Sequence, residues 1–289
     1  MKDKIYTANR VFSQNVMHDL LRNGSNEIYS SVVKQYVKNP EKKRNSQIFK
    51  EMYRHLGTEY RNEYFYQNTL LNHLLVNAHN ADTTTVLSQL RIDKSIADFV
   101  MINGEARVYE IKSDLDSFSR LESQLKDYFK AFSKVSVLIS ASARDKVTKL
   151  ISGFSDFGVC VGIYSMNAQG LIIESEIVKE PVEYHKLLDH TCIFHLLRKY
   201  EYENVLRTYF GFVPESDPVF HLRMCLAKFK EIPISDAQRL TYCELKKRRK
   251  ISSKEFNSIQ KEIKSVVYFS ELIHKVPEVN EFLKAYYGR

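Results

Sequence analysis

Charged side chains occupy two short, apolar segments near the middle of the chain. Asp98 lies in SIADFVMI, and Glu110 and Lys112 lie in the following segment, ARVYEIK. A carboxylate in an apolar strand is costly unless it has a partner or a ligand, because burying an unpaired charge is strongly unfavourable. Carboxylate oxygens are also the ligands that hard cations prefer. These residue types therefore indicate either a partly buried ion pair or a cation site.

The connection between the two segments decides whether the carboxylates meet. It begins with an Asn-Gly dipeptide, which is a strong signal for a β-hairpin. If residues 103–105 form the connection, Asp98 lies directly opposite Glu110, and directly opposed Cβ atoms are about 4.5–5.5 Å apart. A two-residue connection would instead place the two acids on opposite faces of the sheet. Side-chain alternation keeps Lys112 on the face of Glu110 in either case.

Two predicted helices carry further polar side chains toward this face. From about 61 to 78 the leucines recur at helical spacing, and Glu63 falls on their stripe. From about 117 to 132, Gln124 lies on the apolar stripe of a second helix. An inward Glu and an inward Gln beside a face with two acids and a lysine are hard to assign to packing alone. The alternative for Glu63 is a residue at a helix start, where acids favour the helix dipole.

The order of elements predicts an α/β fold. Residues 61–180 show a helix, three strands rich in β-branched residues, a helix, a strand, a helix and a strand, with a further extended segment. Residues 1–60 are predicted to form a helical N-terminal extension, and residues 181–289 a helical, basic C-terminal region with breaks at prolines.

Positive charge lies outside the central segment. The 289-residue chain has a net charge of +8, with +6 in residues 1–62, −3 in residues 63–180 and +5 in residues 181–289. This distribution suggests an anionic partner that contacts the flanks around an acidic centre. The KKRRK run at 246–250 fits either phosphate contact or a solvated helix face.

Several classes of protein lack support in the sequence. There is no apolar run long enough for a membrane-spanning helix, and the first ten residues lack the apolar core of a secretory signal, so we expect a cytoplasmic protein without membrane contact. The four cysteines form no CxxC pair, which leaves zinc and redox motifs unsupported. No GxxxxGK[ST], HExxH or GxSxG motif is present.

The acidic residues and the lysine match a known motif. Asp98, followed after eleven residues by Glu110-Ile111-Lys112, resembles the PD-(D/E)xK motif of restriction-endonuclease-like nucleases. Ala97 stands where the motif has Pro, a tolerated variation because that residue binds nothing.

Two further positions extend the resemblance. Glu63 matches the acid on the preceding helix of this superfamily, and Gln124 with Tyr128 matches the QxxxY element of some resolvase-like branches. The resemblance is to a bacterial branch of the superfamily and covers about residues 60–165.

The resemblance implies a restriction-endonuclease-like core, with a mixed β-sheet flanked by helices, in residues 61–180. It implies hydrolysis of phosphodiester bonds with Mg²⁺ or Mn²⁺. Lys112 would orient or help deprotonate the attacking water and stabilise developing negative charge, and Gln124 would support the site. The implied metal ligands are Asp98, Glu110, the backbone carbonyl of Ile111 and Glu63.

The predicted function is a metal-dependent nuclease acting on nucleic acid, with DNA favoured over RNA, and by analogy a role in defence against foreign DNA. The basic flanks would bind the nucleic-acid backbone or a partner protein, and a homodimer is left open. The alternative is a catalytically inactive nuclease-fold module that binds nucleic acid or protein. A third interpretation, a structural helical interaction protein, predicts that Asp98, Glu110 and Lys112 do not converge.

Overall fold

A six-stranded sheet lies at the centre of the computed structural model, which describes residues 9–59, 61–173 and 176–288. The strands lie in the sheet in their sequence order: β1 (Thr85–Ile92), β2 (Ser95–Asn103), β3 (Glu105–Ile111), β4 (Lys134–Ser140), β5 (Gly162–Met166) and β6 (Ile177–Lys179). Strands β1 to β3 pair antiparallel, β3 to β5 pair parallel, and β6 returns antiparallel to β5. The predicted mixed α/β class is therefore confirmed.

Helices precede, interrupt and follow the sheet. Before it lie α1 (Gln14–Asn23), α2 (Glu27–Tyr36), α3 (Asn45–Glu59) and α4 (Glu63–Asn72), and α4 continues as a π-helical turn, His73–Ala78. The parallel strands are joined through α5 (Leu121–Tyr128) and α6 (Arg144–Ser152). After the sheet come α7 (His190–Phe194), α8 (Lys199–Phe210), α9 (His221–Phe229), α10 (Ile234–Lys246), α11 (Ser253–Ser258), α12 (Lys264–Tyr268) and α13 (Val276–Lys284).

Each face of the sheet is covered by a different set of helices, because successive strand side chains point to opposite faces. Phe99, Met101 and Tyr109 pack in one core with α1 to α4 and α11 to α13. Val100 and Val108 pack in a second core with α5 to α10. The predicted N- and C-terminal helical segments thus supply most of the cover over both faces.

Some local expectations differ from the structure. The helix predicted from about 61 begins at Glu63, because the Asn62 side chain accepts the Phe65 N–H and caps it. The extended segment expected at 170–176 is irregular as far as 173, the next two residues lie outside the described ranges, and pairing resumes only in β6. Among the described residues, no helix has the length and apolar character needed to cross a bilayer.

Candidate functional site

The β2–β3 hairpin has the register that a 103–105 connection predicts. Val100 pairs with Val108, and Gly104 occupies the turn with a φ of 75°, which favours glycine. Continuing this register places Asp98 opposite Glu110, on the same face as the two valines. The shared face that strand parity predicts for the two acids is therefore confirmed.

Regular pairing between β2 and β3 stops just before the two acids. The final backbone pair is Phe99 with Tyr109. Beyond it, the Asp98 Oδ2 atom accepts a hydrogen bond from the Ile111 N–H at 2.9 Å. The Asp98 side chain thus occupies the place of a backbone partner, at the point where the two strands separate.

Glu110 is the centre of a buried hydrogen-bond network. Its side chain is almost fully buried, and its Oε1 atom accepts from Lys112 Nζ at 2.7 Å and from Gln124 Nε2 at 2.6 Å. Lys112 Nζ also donates to Gln124 Oε1 at 2.9 Å. Glu110 Oε2 accepts from the Tyr128 hydroxyl at 2.6 Å. The predicted inward orientation of Gln124 and the shared face of Glu110 and Lys112 are therefore confirmed.

Helix α5 supplies both Gln124 and Tyr128 because residues four apart lie on one helix face. Tyr128 is fully buried, and its hydroxyl also lies 2.8 Å from the Ile96 carbonyl oxygen. Burial and the neighbouring Glu110 raise the pKa of Tyr128, so that the residue remains a hydroxyl donor. No contact between Tyr128 and Glu110 was expected from the sequence. The spacing of four residues between Tyr128 and Gln124, on the same helix face, was the pattern that could have indicated one.

Asp98 is partly withdrawn from water and forms no ion pair with a described residue. Its side chain is half-buried, and loss of water together with the neighbouring Glu110 and Glu63 raises its pKa from 3.8 to about 7. The hydrogen bond from Ile111 and the charge of Lys112 act in the opposite direction and are too weak to reverse the shift. Close to neutral pH, Asp98 can therefore change its protonation state, which is a common property of functional sites.

The prediction that Glu63 lies on the buried stripe of its helix is wrong. Glu63 is exposed, because α4 starts at this residue and the leucines of α4 pack in the core on the other face of the sheet. It remains close enough to the site to share its charge: partial loss of water, Asp116 and Glu110 raise the pKa of Glu63. Glu63 thus stands at the rim of the cluster rather than within it.

Gln89 is a site feature that sequence patterns did not reveal. It lies within β1 with a φ of 54°, a left-handed backbone conformation that is rare for a residue other than glycine. The β1–β2 pairing has Ser88 with Phe99 and Leu90 with Ala97, so Gln89 faces Asp98 across the strands. Backbone strain of this kind clusters at functional sites because the surrounding structure must enforce it.

The fit to a divalent cation rests on Asp98 and Glu110. No trio of His, Cys, Asp and Glu side chains is arranged to hold a metal ion within the described ranges. Mg²⁺, however, is commonly held by one or two carboxylates, with waters and substrate phosphates completing its shell. Asp98 Oδ1 accepts no hydrogen bond from a described residue, whereas both Glu110 oxygens are hydrogen-bonded. Asp98 Oδ1 is thus free of hydrogen bonds from described residues, and Glu110 could act as a second carboxylate ligand only by exchanging one of its partners.

The KKRRK run does not form a uniform basic face. Arg248 is turned inward, where it donates to both carboxylate oxygens of the buried Glu201 at 2.5 and 2.7 Å. Helix α10 ends at Lys246, so the rest of the run lies beyond the helix. Lys246, Arg249 and Lys250 line a surface groove next to Thr85 at the start of β1. Phosphate contact by this region is thus limited to the residues that flank Arg248.

The fold and the site define a mixed α/β protein with a carboxylate and lysine cluster where two central strands separate. A family model described as Bacteriophage P4 protein cII matches residues 57–267, and the chain belongs to that family. Protein cII of Enterobacteria phage P4 is 41% identical over 63 residues, which are 22% of this chain and 23% of that protein. The alignment therefore spans less than a quarter of the relative's length. No solved structure matches the chain.

Proposed function

We propose that the protein hydrolyses phosphodiester bonds of nucleic acid with the help of Mg²⁺ or Mn²⁺, in a restriction-endonuclease-like core. The observation that carries the proposal is the convergence of Asp98, Glu110 and Lys112 where β2 and β3 separate. Two acids and a lysine at a strand end, with a Gln and a Tyr behind them, form a donor set suited to phosphate chemistry.

Each side chain has a task that follows from its contacts. The Lys112 ammonium, held by Glu110 and Gln124, would orient a water molecule and stabilise negative charge on a phosphate oxygen. Gln124 and Tyr128 fix the orientation of Glu110. A divalent cation held by Asp98, Glu110, the Ile111 carbonyl and, through water, Glu63 would lower the pKa of bound water and neutralise phosphate charge.

The proposed substrate is DNA, in line with the expectation from the sequence. The net positive charge of the flanks and the groove lined by Lys246, Arg249 and Lys250 suit a phosphate backbone. A role in defence against foreign DNA stays a prediction.

One observation favours a second candidate function, a nuclease-fold module that binds nucleic acid or protein without cleaving. Both oxygens of Glu110 already accept hydrogen bonds from Lys112, Gln124 and Tyr128. A side chain that is satisfied in this way binds a cation only if a partner moves aside. The two candidates differ in whether Glu110 makes that exchange.

Incubation of the full-length protein with supercoiled plasmid, linear duplex, single-stranded DNA and RNA, each with Mg²⁺ or Mn²⁺, tests the proposal. We expect the wild type to cleave DNA and the Glu110→Ala and Lys112→Ala variants to lose cleavage while they retain binding in a gel-shift assay. The matched controls are Glu122→Ala and Lys126→Ala, which remove an exposed acid and an exposed lysine from α5. Both controls should cleave like the wild type.

The outcomes separate the two candidates. Binding by the wild type without cleavage of any substrate would support the inactive module. Cleavage that persists in Glu110→Ala and Lys112→Ala would refute the proposed site.

A further inference from the structure

A cavity of about 330 Å³ lies on the sheet face opposite to Glu110. Its walls come from α3, from helix α4 with the π-helical turn that follows, from the loop between β5 and β6, and from residues 261–264 where α12 begins. The residues that matter for its chemistry are Tyr53, Phe65, His73, Gly170, Lys261 and Lys264. No Asp or Glu is among the residues that line it.

Lys264 is the unusual member of this set. The side chain is only 5% exposed, and its ammonium lies over the Phe256 ring, 4.2 Å from the ring centroid. It donates no hydrogen bond to a described residue and forms no ion pair with one. Burial and the nearby Lys261 lower the pKa of Lys264 to about 8. The Phe256 ring compensates this charge only in part, so an anionic partner would be favourable for the buried ammonium.

Part of the cavity lining is aromatic. The Phe65 and Tyr53 rings stack with their centroids 4.9 Å apart. Gly170, with a φ of 72°, brings the β5–β6 loop so close that an added Cβ would lie 2.7 Å from the Phe65 ring. Arg61 fastens the same loop by donating to the backbone carbonyls of residues 167 and 168. The aromatic wall is thus held in a fixed position against the loop.

The π-helical turn adds a polar group to the cavity. His73 begins the turn, and its Nδ1 atom is buried without a hydrogen-bond partner in the described part of the chain. Burial lowers the pKa of His73, so that its ring is neutral at neutral pH. π-Helical turns within helices are frequent at functional sites.

We propose that this cavity binds a small molecule that carries an oxyanion group, phosphate or carboxylate, on an aromatic body. Lys264 and Lys261 would hold the anion, and Phe65 with Tyr53 would contact the ring. The volume is within the range of small-ligand sites. This site is separate from the carboxylate cluster, and its occupancy does not depend on nuclease activity.

Isothermal titration calorimetry of the full-length protein with three probes tests the proposal. Phenylphosphonate and benzoate represent the two oxyanions on a phenyl ring, and benzyl alcohol is the uncharged control. We expect saturable binding of at least one of the two anions and none of benzyl alcohol. In Lys264→Met, loss of a charged donor should weaken anion binding by about tenfold or more.

The variants are chosen so that loss of binding and loss of folding can be told apart. Lys264→Met exchanges a buried ammonium for an apolar side chain of similar length, so its Tm should equal or exceed that of the wild type. Lys38→Met, at an exposed position outside the cavity lining, is the matched control and should bind like the wild type. Failure of the wild type to bind either anion, or equal binding by Lys264→Met and wild type, would overturn the site.

Discussion

Replacing Asp98 by Asn should stabilise the protein at neutral and alkaline pH. In the folded state, loss of water and the neighbouring Glu110 and Glu63 raise the pKa of Asp98 from 3.8 to about 7. In the unfolded chain the carboxyl has a pKa near its ordinary value and is ionised at neutral pH. Folding at neutral pH therefore carries the free-energy cost of an ionised carboxyl at this site. Asparagine keeps an oxygen for the Ile111 N–H and carries no charge.

The sign and the size of the effect follow from proton linkage. The folded state holds a proton that the unfolded state has lost, so the free energy of unfolding falls as pH rises toward the pKa of folded Asp98 and is level above it. One unit of pKa corresponds to about 1.4 kcal/mol, and the pH dependence weakens as folded Asp98 starts to ionise, so Asp98 alone should lower wild-type stability by about 2.3 kcal/mol between about pH 5 and about pH 7. Water that still reaches the half-buried side chain reduces this to about 1–2 kcal/mol.

Urea unfolding followed by circular dichroism, repeated from about pH 5 to about pH 8, measures this difference. The stability gained by Asp98→Asn over wild type should grow with pH and become constant at about pH 8. Glu122→Gln removes an exposed carboxylate from the neighbouring helix α5 and serves as the control, with a curve parallel to that of the wild type. A parallel curve for Asp98→Asn would refute the raised pKa and with it the clustering of uncompensated acids.

Two further predictions concern stability and can be measured in the same urea assay. Glu201→Ala should destabilise by about 3–5 kcal/mol, because it leaves the guanidinium of the largely buried Arg248 without its partner, and adding Arg248→Met should restore part of the loss. An unchanged midpoint in the single variant would show that the pair contributes nothing. Gly170→Ala should cost about 2 kcal/mol or more, since alanine is disfavoured at positive φ and its Cβ would meet the Phe65 ring. Full stability in that variant would show that the loop can move away.

The sequence predicted the parts of the site that depend on local periodicity. Strand alternation and the length of the hairpin connection set which residues face each other, so residue spacing reduced the choice to two registers, and the structure has the one that pairs Asp98 with Glu110. Helical spacing likewise directed Gln124 toward Glu110. Both patterns extend over only a few residues, so little outside them can change the outcome.

Features that depend on tertiary packing were not predictable in this way. The sheet face on which α4 packs depends on its contacts with the surrounding helices. Because of this packing, Glu63 lies at the rim of the carboxylate cluster. The left-handed backbone of Gln89 has no sequence signal, because nothing in its residue type requires it. The Lys264 cavity joins segments that are far apart in the chain, which periodicity cannot relate.

The arrangement of Asp98, Glu110 and Lys112 distinguishes a structural ion pair from a functional site. A structural ion pair needs only Glu110 and Lys112, which already bond to each other. Asp98 adds a second acid whose ionisation is unfavourable, and the strained Gln89 faces it from β1. An acid that ionises unfavourably and a residue with a strained backbone are both features expected at functional sites. The interpretation as a structural helical protein expected no convergence, whereas Glu110 and Lys112 bond to each other in a mixed sheet, next to the strand position of Asp98. A cation that binds both acids must therefore displace one hydrogen-bond partner of Glu110.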